Sequence, residues 1–441
     1  MQIALLTAVR TIVRADSNTV RQAYFSTLRK TSLPVRAVCW LYDLLGRTGA
    51  STLLVSAYGL KSWLALEPSR KGHSRVLSVA AHANARRYVE QVASVYGADH
   101  VDRLRTETGT LLRPASLLRL SKILLAGQTV RRFFRLVRRI DRRRDVLISC
   151  RVASALGCYA RSKTLLSEQS SAGVLVSSAS NPEEVGLVAA ARSLCIPTIF
   201  VSHAYTTSVS PPLNFSLSIL EGEAAVEAHA RKGTVGGSIF LAGIEGISHP
   251  MEASRLQRPK PVIGIFPPKV VAWPVLSSII DDCRRTFGAR QVIIRWHPSM
   301  IGSRKLVSTV SDVSGIVETP QATALPDVAA QCDWVVADAG SNVHLQVLKM
   351  GIPTIAVVGM GVHHADQYGF VAARVVFPPI ASLRDLPLCE AMTFYSGEWA
   401  ARFQRYDASY LRAADALSAG LNDAIDAVLQ DRPARPPHDD R

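Results

Sequence analysis

Apolar runs that end in small polar clusters recur in the second half of the chain. Residues 291–300, QVIIRWHPSM, and residues 333–357, DWVVADAGSNVHLQVLKMGIPTIAV, each begin with a run typical of a buried strand. In the second stretch a polar turn at 338–342 precedes helical spacing and a further strand. Open parallel sheets bind ligands at the carboxyl ends of strands arranged in this order. The pattern therefore predicts a ligand site at 338–342.

The helix predicted to begin near Ser341 would present free backbone N–H groups and the positive end of its dipole, which suit a phosphate. Gly340 permits close approach of the backbone, and Ser341 can cap the helix or donate a hydrogen bond. Asn342 completes the turn. Ordinary capping explains the same residues and is compatible with phosphate binding. A carboxylate would repel a phosphate, so we expect Asp338 to hold the turn or to meet a sugar hydroxyl.

A second candidate anion contact follows the strand VIIRW. His297 stands between this strand and Pro298, where a side chain leaves the carboxyl edge of a sheet. Arg295 lies two residues earlier on the same strand face. Both side chains can bond phosphate oxygens, whereas a histidine at a strand end can also be purely structural. A nucleotide-bearing substrate is the first hypothesis that these turns support.

The first half of the chain has the same strand and helix rhythm. The strand GVLVSS at 173–178 is followed by Asn181, Pro182 and Glu184, which predict a helix N-cap, a first-turn proline and a capping-box acid. The next strand, PTIFVS, ends at His203 and a hydroxyl-rich loop. In a two-domain enzyme with its site in the cleft, His203 is the candidate general base, and a satisfied loop histidine is the structural alternative.

Repeated strand and helix units predict an α/β fold with parallel sheets. Prolines and mixed charge between Gly246 and Pro261 indicate a linker between two Rossmann-like units. The predicted divisions are a helical and basic extension at 1–72, an N-terminal unit at 73–248, a C-terminal unit at 260–395, a closing helix at 396–430 and a disordered tail at 431–441.

Composition supports a folded chain of two domains. Of 441 residues, 48% are hydrophobic and 20% are charged. No apolar run of about 18 residues is present, and the N-terminal residues lack the pattern of a signal peptide, so we expect a cytoplasmic protein. Its seven cysteines are scattered without zinc-ligand spacing and are expected to be reduced.

The formal net charge of +16 lies mainly in the first 163 residues. Its densest part is Arg131–Arg144, RRFFRLVRRIDRRR, whose apolar residues fall at helical spacing opposite the arginines. Such a helix can pack on the core with a solvated basic face, or it can dock peripherally on an anionic membrane surface. No nucleic-acid reading motif accompanies it, so we expect no nucleic-acid partner.

A histidine-rich segment at 359–370 raises the question of a metal. His363, His364 and Asp366 lie in it, and His344 precedes it. Adjacent histidines point in different directions, and no pair at i, i+4 with a carboxylate is present. We therefore expect no metal and no cofactor, and a mobile glycine-flanked loop beside the ligand pocket.

Together these motifs resemble the GT-B glycosyltransferases of bacterial surface polysaccharide synthesis. The resemblance covers residues 74–380 and is to the capsule and teichoic-acid transferases that include CDP-glycerol glycerophosphotransferases, Kdo transferases and bacterial sialyltransferases. It is carried by a strand before His297 and Pro298, by the turn at 338–342 before the G-x-P at 351–353, and by the strand, helix and strand that end at His203.

The resemblance implies two Rossmann-like domains that face a cleft. It makes His203 the base for an acceptor hydroxyl, and His297 and Ser341 contacts of the donor phosphate. The implied partners are a nucleotide-sugar donor and an oligosaccharide or lipid-linked acceptor, with no metal required. Ala204 stands where the group commonly has glycine, and Glu221–Glu223 is a poor match to the acidic sialyltransferase motif, so the donor sugar stays open.

Two other functions fit the sequence. A nucleotide-sugar 2-epimerase has a similar fold and a similar glycine and serine turn, although it would need further carboxylates in the cleft. A non-catalytic, membrane-docked factor of polysaccharide assembly or export is the alternative outside enzymes. Nucleotide binding, and conversion of the free nucleotide sugar without an acceptor, would discriminate among the three.

Overall fold

The computed structural model describes residues 12, 33–44, 46–68, 76–80, 83–106, 146–168, 171–202, 212–298, 315–319, 323–361, 366 and 368–431. These residues contain two β-sheets and the helices around them. His203, the basic segment Arg131–Arg144, and the histidines His363 and His364 lie outside the described residues.

Seven strands of the N-terminal half form the first sheet. They are β1 (Leu66–Pro68), β2 (Val76–Val79), β3 (Val101–Thr106), β4 (Gly173–Val176), β5 (Thr198–Val201), β6 (Asn214–Leu220) and β7 (Gly236–Leu241). Their order across the sheet is β1, β3, β2, β4, β5, β6, β7. β1 is antiparallel to β3, and the other neighbours are parallel. Parallel neighbours require crossover connections, which place helices on the faces of the sheet.

Five strands of the C-terminal half form the second sheet, which is wholly parallel. They are β8 (Val262–Phe266), β9 (Gln291–Arg295), β10 (Ile316–Thr319), β11 (Trp334–Asp338) and β12 (Thr354–Val357). Their order is β10, β9, β8, β11, β12. Two parallel sheets with flanking helices confirm the predicted α/β class.

Twelve α-helices are found among the described residues. They are α1 (Leu33–Leu44), α2 (Gly46–Ala65), α3 (Ala83–Tyr96), α4 (Val146–Glu168), α5 (Pro182–Ser193), α6 (Glu223–Ala230), α7 (Trp273–Arg285), α8 (Leu325–Ala329), α9 (Val343–Lys349), α10 (Leu388–Phe394), α11 (Trp399–Gln404) and α12 (Ala414–Gln430). Short 3-10 turns occur at Ala98–His100, Ala253–Gln257 and Leu383–Asp385. None of these helices has both the length and the apolar character that crossing a membrane would demand.

Alternate residues of the first sheet enter two different cores. Val174 and Val176 of β4 pack with buried residues of α4 and α5 on one face. Leu175, between them, packs on the other face with α3 and α12. Successive side chains of a strand point to opposite faces, so a strand buried on both faces is apolar throughout. This explains why GVLV is uninterrupted by polar residues.

The helix predicted after GVLVSS is present, but one capping interpretation is wrong. Asn181 occupies the N-cap position of α5 and Pro182 its first turn, as predicted. The backbone N–H of Asn181 donates to Ser178 Oγ (3.1 Å) where a capping box would have it donate to Glu184, whose Oε1 accepts from the side-chain Nδ2 of Asn181 (3.3 Å). Oε2 of Glu184 accepts hydrogen bonds from the backbone N–H groups of Ser177 (2.7 Å) and Ser178. The carboxylate therefore satisfies the end of β4, because those N–H groups are buried and have to be paired.

Residues 396–430, predicted as one closing helix, contain two helices, α11 and α12. Between them the fully buried Asp407 accepts hydrogen bonds from Ile244 N (2.9 Å) and Ser409 N (3.0 Å). Its Oδ2 also lies 3.0 Å from Lys349 Nζ of α9. These bonds hold the segment around Asp407 against the connection between the units. The helix is therefore interrupted at this segment. α12 then packs on the first sheet through Leu421 and Ile425.

The connection between β7 and β8 packs against the second unit. His249 N donates to Lys349 O (2.9 Å), and Glu252 N donates to Gly351 O (2.9 Å). Gly351 has a φ of +74°, and a Cβ there would lie 2.2 Å from Pro250 O. Only glycine tolerates both the backbone conformation and this close approach. The glycine of the G-x-P motif thus has a structural cause.

Candidate functional site

The strand order of the second sheet defines where a ligand crevice forms. The chain runs from β8 outward through β9 to β10, and it then returns to the opposite side of β8 to form β11 and β12. The reversal lies between β8 and β11. In open parallel sheets, ligands bind outside the carboxyl ends of the strands at such a switch point. The predicted turn at 338–342 follows β11 and borders this position.

The two predicted anion contacts lie on one edge of this sheet. Ile294 of β9 pairs with Ile265, and Ala337 of β11 pairs with Phe266, so Arg295 and Asp338 end their strands within about one residue of the same level. β8 separates the two strands, which places them about 10 Å apart. The structure thus brings 295–297 and 338–342 to one edge, at the spacing of an extended ligand and not of a single phosphate group.

Asp338 holds the turn, which is one of the two roles predicted for it from the sequence. The residue is 2% exposed. Its Oδ2 accepts a hydrogen bond from Gly340 N (3.2 Å), and its Oδ1 accepts one from Gly361 N (2.8 Å). The carboxylate therefore ties the end of β11 to the segment that follows β12. Bonds to an ionised acceptor are stronger than those to a neutral one, which suits a turn that must keep its shape.

Gly361 is a site residue that the sequence analysis missed. A Cβ at this position would lie 2.7 Å from Cγ of Pro268, which follows β8, and 3.3 Å from Cγ of Asp338. Glycine therefore lets three segments meet at this edge of the sheet. The available signal was a glycine just after the last strand of the sheet, where a close backbone approach is frequent.

His344 supports the same turn from below. It is fully buried, with Nε2 3.1 Å from Asp338 O and Nδ1 3.0 Å from Thr354 Oγ1. Since a carbonyl can only accept, Nε2 carries the hydrogen, and Nδ1 accepts from the threonine hydroxyl. Burial lowers the pKa of His344 to about 4, so the ring is neutral at neutral pH. Both ring nitrogens are thus engaged in holding β11, α9 and β12 together.

Ser341 and Asn342 lie where the turn enters α9. Ser341 N donates to Asp338 O (2.9 Å), and Ser341 Oγ accepts from Val343 N (3.3 Å). A hydroxyl that accepts one bond still has its own hydrogen to donate. Asn342 is the N-cap residue and makes no capping bond with its side chain. α9 has only seven residues, so its dipole is small.

Arg295 and His297 flank a buried tryptophan at the end of β9. Arg295 Nε donates to Thr323 O (3.2 Å), and partial burial lowers the pKa of its guanidinium, which stays charged in proteins. Trp296 Nε1 donates to Glu318 Oε2 (3.0 Å) and packs beside Trp273. His297 is half-buried. Trp296 therefore anchors the strand end from which the two basic side chains project.

The carboxyl edge of the first sheet carries an acid to which the sequence analysis gave no role. Glu221 directly follows β6 and is 5% exposed. Ser202, which follows β5, donates from Oγ to Glu221 Oε1 (2.5 Å). Burial raises the pKa of Glu221 to about 7, and the nearby Asp407 adds to the rise. His203, the predicted base, is the next residue after Ser202 but lies outside the described residues.

No group of three or more metal-ligating side chains is found within the described parts of the chain. Asp366 of the histidine-rich segment accepts backbone hydrogen bonds from Val371 N (2.8 Å) and Ala372 N (2.9 Å). This carboxylate therefore closes a local turn.

The two parallel sheets with their flanking helices give the chain an α/β fold of two units. No protein-family model matches the chain, and no curated protein matches it.

Solved structures with a similar fold include three with 9–10% identity. Sucrose-phosphate synthase from Thermosynechococcus elongatus has a TM-score of 0.48 and 10% identity, over 81% of this chain and 100% of that chain. A UDP-glucosyltransferase from Polygonum tinctorium has a TM-score of 0.48 and 9% identity, over 82% and 99%. UDP-GlcNAc 2-epimerase from Methanocaldococcus jannaschii has a TM-score of 0.46 and 10% identity, over 80% and 99%. Such likeness concerns the fold alone.

Proposed function

We propose that this protein is a glycosyltransferase, which moves a sugar or sugar-like group from a nucleotide-activated donor to a surface polysaccharide or lipid-linked acceptor. The observation that carries the proposal is the strand order of the second sheet. The strand order reverses between β8 and β11, and this supports a ligand crevice near the basic side chains and the polar turn predicted from the sequence.

The donor phosphates occupy this edge in the proposal. Arg295 and His297 stand at the end of β9, and Ser341 lies in the turn after β11, a strand about 10 Å from β9. That spacing fits a nucleoside diphosphate better than a single phosphate. Gly340 allows the backbone to approach the ligand, while Asp338 and Asn342 shape the turn.

Transfer then proceeds by substitution at the anomeric carbon. The acceptor oxygen forms the new bond to that carbon, the bond to the donor phosphate breaks, and the acceptor proton passes to His203 as general base. The leaving phosphate gains negative charge as the bond breaks. Groups already oriented toward that charge lower the barrier, and we assign this task to His297 and Ser341 in place of a metal.

Acceptor-dependent turnover tests the proposal. A panel of CMP-, CDP-, UDP- and GDP-linked donors is incubated with an oligosaccharide or lipid-linked acceptor, and release of the nucleotide is measured. We expect release that depends on acceptor with one of these donors. Conversion of the free donor without acceptor would establish the epimerase instead. Absence of binding to every nucleotide would refute both enzymes and leave the non-catalytic factor.

His297→Ala isolates the contribution of the donor edge. Loss of one oriented donor to the leaving group is expected to lower kcat by about 100-fold. His249→Ala is the matched control, because His249 is an exposed histidine of the connection between the units. Equal kcat values for the two variants would remove His297 from the mechanism.

We also place the protein at the inner face of the cell membrane, docked peripherally through Arg131–Arg144. Clustered arginines gain about 1 kcal/mol each near an anionic leaflet. Replacement of Arg135, Arg138 and Arg139 by glutamate should move the protein from the membrane fraction to the soluble fraction. An unchanged distribution would contradict this location.

A further inference from the structure

Helix α1 carries an exposed apolar stripe, which consists of Leu33, Trp40 and Leu44. Leu33 is 72% exposed, and Trp40 and Leu44 are each 63% exposed. Their spacings of seven and four positions correspond to nearly whole helical turns, so the three side chains lie along one face. Leu53 of α2 is 57% exposed. Four of the five most exposed large apolar side chains among the described residues therefore lie on these two helices.

The packing of α2 explains why this stripe is turned outward. Gly157 of α4 approaches the α2 backbone so closely that a Cβ there would lie 2.0 Å from Gly59 O. One turn later on α2, Cζ of Arg161 from α4 lies 5.8 Å from the ring centroid of Trp63. These contacts fix α2 on the first unit, and α1 packs on α2. α1 therefore forms an outer layer whose apolar stripe is in contact with solvent.

The charge of the same segment complements an anionic surface. Residues 1–65 contain eight Lys and Arg and two Asp, which gives a formal charge of +6. Arg36 is exposed one turn before Trp40, and Asp43, one of the two acids, is also exposed. A second copy of the chain on this face would bring two such positive charges together, which opposes self-association. The charge therefore favours an anionic partner.

A phospholipid membrane combines an apolar layer with negative charge. Its acyl chains accept apolar side chains, and its anionic headgroups attract Lys and Arg. Tryptophan is enriched at the boundary between the two layers, because its ring is apolar and its N–H is polar. α1 has 12 residues, which is too few to span a bilayer, so it would lie along the surface.

We propose that α1 lies in the surface of an anionic phospholipid membrane, with the apolar stripe inserted below the headgroups. This contact rests on the peripheral location proposed above, and it adds an apolar component to the electrostatic one of Arg131–Arg144. Stable anchoring of a peripheral protein generally takes two such signals.

Quenching of tryptophan fluorescence by brominated lipids tests the contact in the full chain. Bromine in the acyl chains quenches only a tryptophan that reaches the apolar layer. The vesicles contain equimolar phosphatidylcholine and phosphatidylglycerol, with or without bromine. We expect quenching of the wild type that Trp40→Phe abolishes and Trp63→Phe retains, because Trp63 packs on α4. Phenylalanine keeps the stripe apolar, so the Trp40→Phe variant stays bound. Equal quenching of the wild type and Trp40→Phe would overturn the contact.

Cosedimentation with the same vesicles measures how much the stripe contributes to binding. Trp40→Glu removes the ring from the membrane and should weaken partitioning by about tenfold or more. Ile247→Glu is the matched control, because it adds the same charge at a side chain that is 78% exposed. Ile247 and α12 line one cavity, and α12 packs on the face of the first sheet opposite α4. The control should change partitioning by less than about threefold. Equal losses for the two variants would overturn the contact.

Three further outcomes separate this contact from the proposed location. Failure of the wild type to bind the anionic vesicles would overturn both, whereas binding without quenching of Trp40 would overturn the contact alone. Equal binding to vesicles of phosphatidylcholine only would overturn the anionic partner. Dimerisation of the wild type without lipid, abolished by Trp40→Glu, would show that a second copy covers the stripe. Nucleotide release with a soluble oligosaccharide acceptor tests the transferase separately.

Discussion

The buried polar side chains at the carboxyl edges of the two sheets differ in how completely they are hydrogen-bonded. On the second sheet, Asp338 and His344 direct their polar atoms to neighbouring backbone and side-chain groups. On the first sheet, Glu221 is equally buried but retains an oxygen without a partner among the described residues. The first arrangement stabilises a turn of defined shape, and the second leaves a buried carboxyl group whose pKa is raised to about 7.

The contrast predicts opposite effects of removing the two acids. Asp338→Ala leaves the N–H groups of Gly340 and Gly361 without their acceptor, and it should lower the free energy of unfolding by about 4 kcal/mol. Chemical denaturation measures this change. Asp327→Ala, an exposed acid of α8, is the control and should cost less than about 1 kcal/mol. A similar small cost for Asp338→Ala would show that the turn does not depend on its carboxylate.

Glu221→Gln should stabilise the protein at neutral and higher pH. The folded pKa of Glu221 is about 7 and the ordinary value is 4.5, so the folded state binds more protons between these values. Stability of the wild type is then lost as pH rises from 4.5 to about 7, by about 3 kcal/mol from this group. The glutamine variant lacks this loss. Denaturation across this pH range should show the stability difference between variant and wild type growing with pH, and a constant difference would contradict the burial argument.

His344→Gln should change the free energy of unfolding at acidic pH, whereas Glu221→Gln changes it at neutral and higher pH. The folded pKa of His344 is about 4 against an ordinary value of 6.5, so the unfolded state binds more protons between these values. Its effect on stability is therefore absent above 6.5 and grows as pH falls toward 4, reaching a loss of about 3 kcal/mol. Glutamine keeps a donor for Asp338 O and cannot take up this proton. Unfolding measurements should show a shallower acid slope for the variant, and an unchanged slope would exclude His344 as its source.

The apolar pattern was sufficient to predict the α/β class and the helix that begins at Pro182. Those features depend on neighbours in sequence, since burial on both faces makes strands such as GVLV continuously apolar. The hydrogen-bond partners of the Glu184 carboxylate could not be predicted in this way. A capping box and a bond to the preceding strand end require the same residue type at the same position.

The details of the site depend on residues far apart in the chain. Asp338 accepts a hydrogen bond from Gly361, 23 positions later, and the charge of Asp407 adds to the raised pKa of Glu221. Likewise, the break between α11 and α12 comes from bonds of Asp407 to Ile244 and Lys349. Such contacts are set by tertiary packing, and no local pattern indicates them.

In the proposed function, a nucleotide binds at the edge of the second sheet and not at that of the first. Hydrogen exchange of backbone amides with and without a saturating nucleoside diphosphate tests it most directly, because protection reports where the ligand lies. We expect slower exchange at 296–297 and 339–343, with little change at 219–223. Protection centred on 219–223, with none at 339–343, would contradict it.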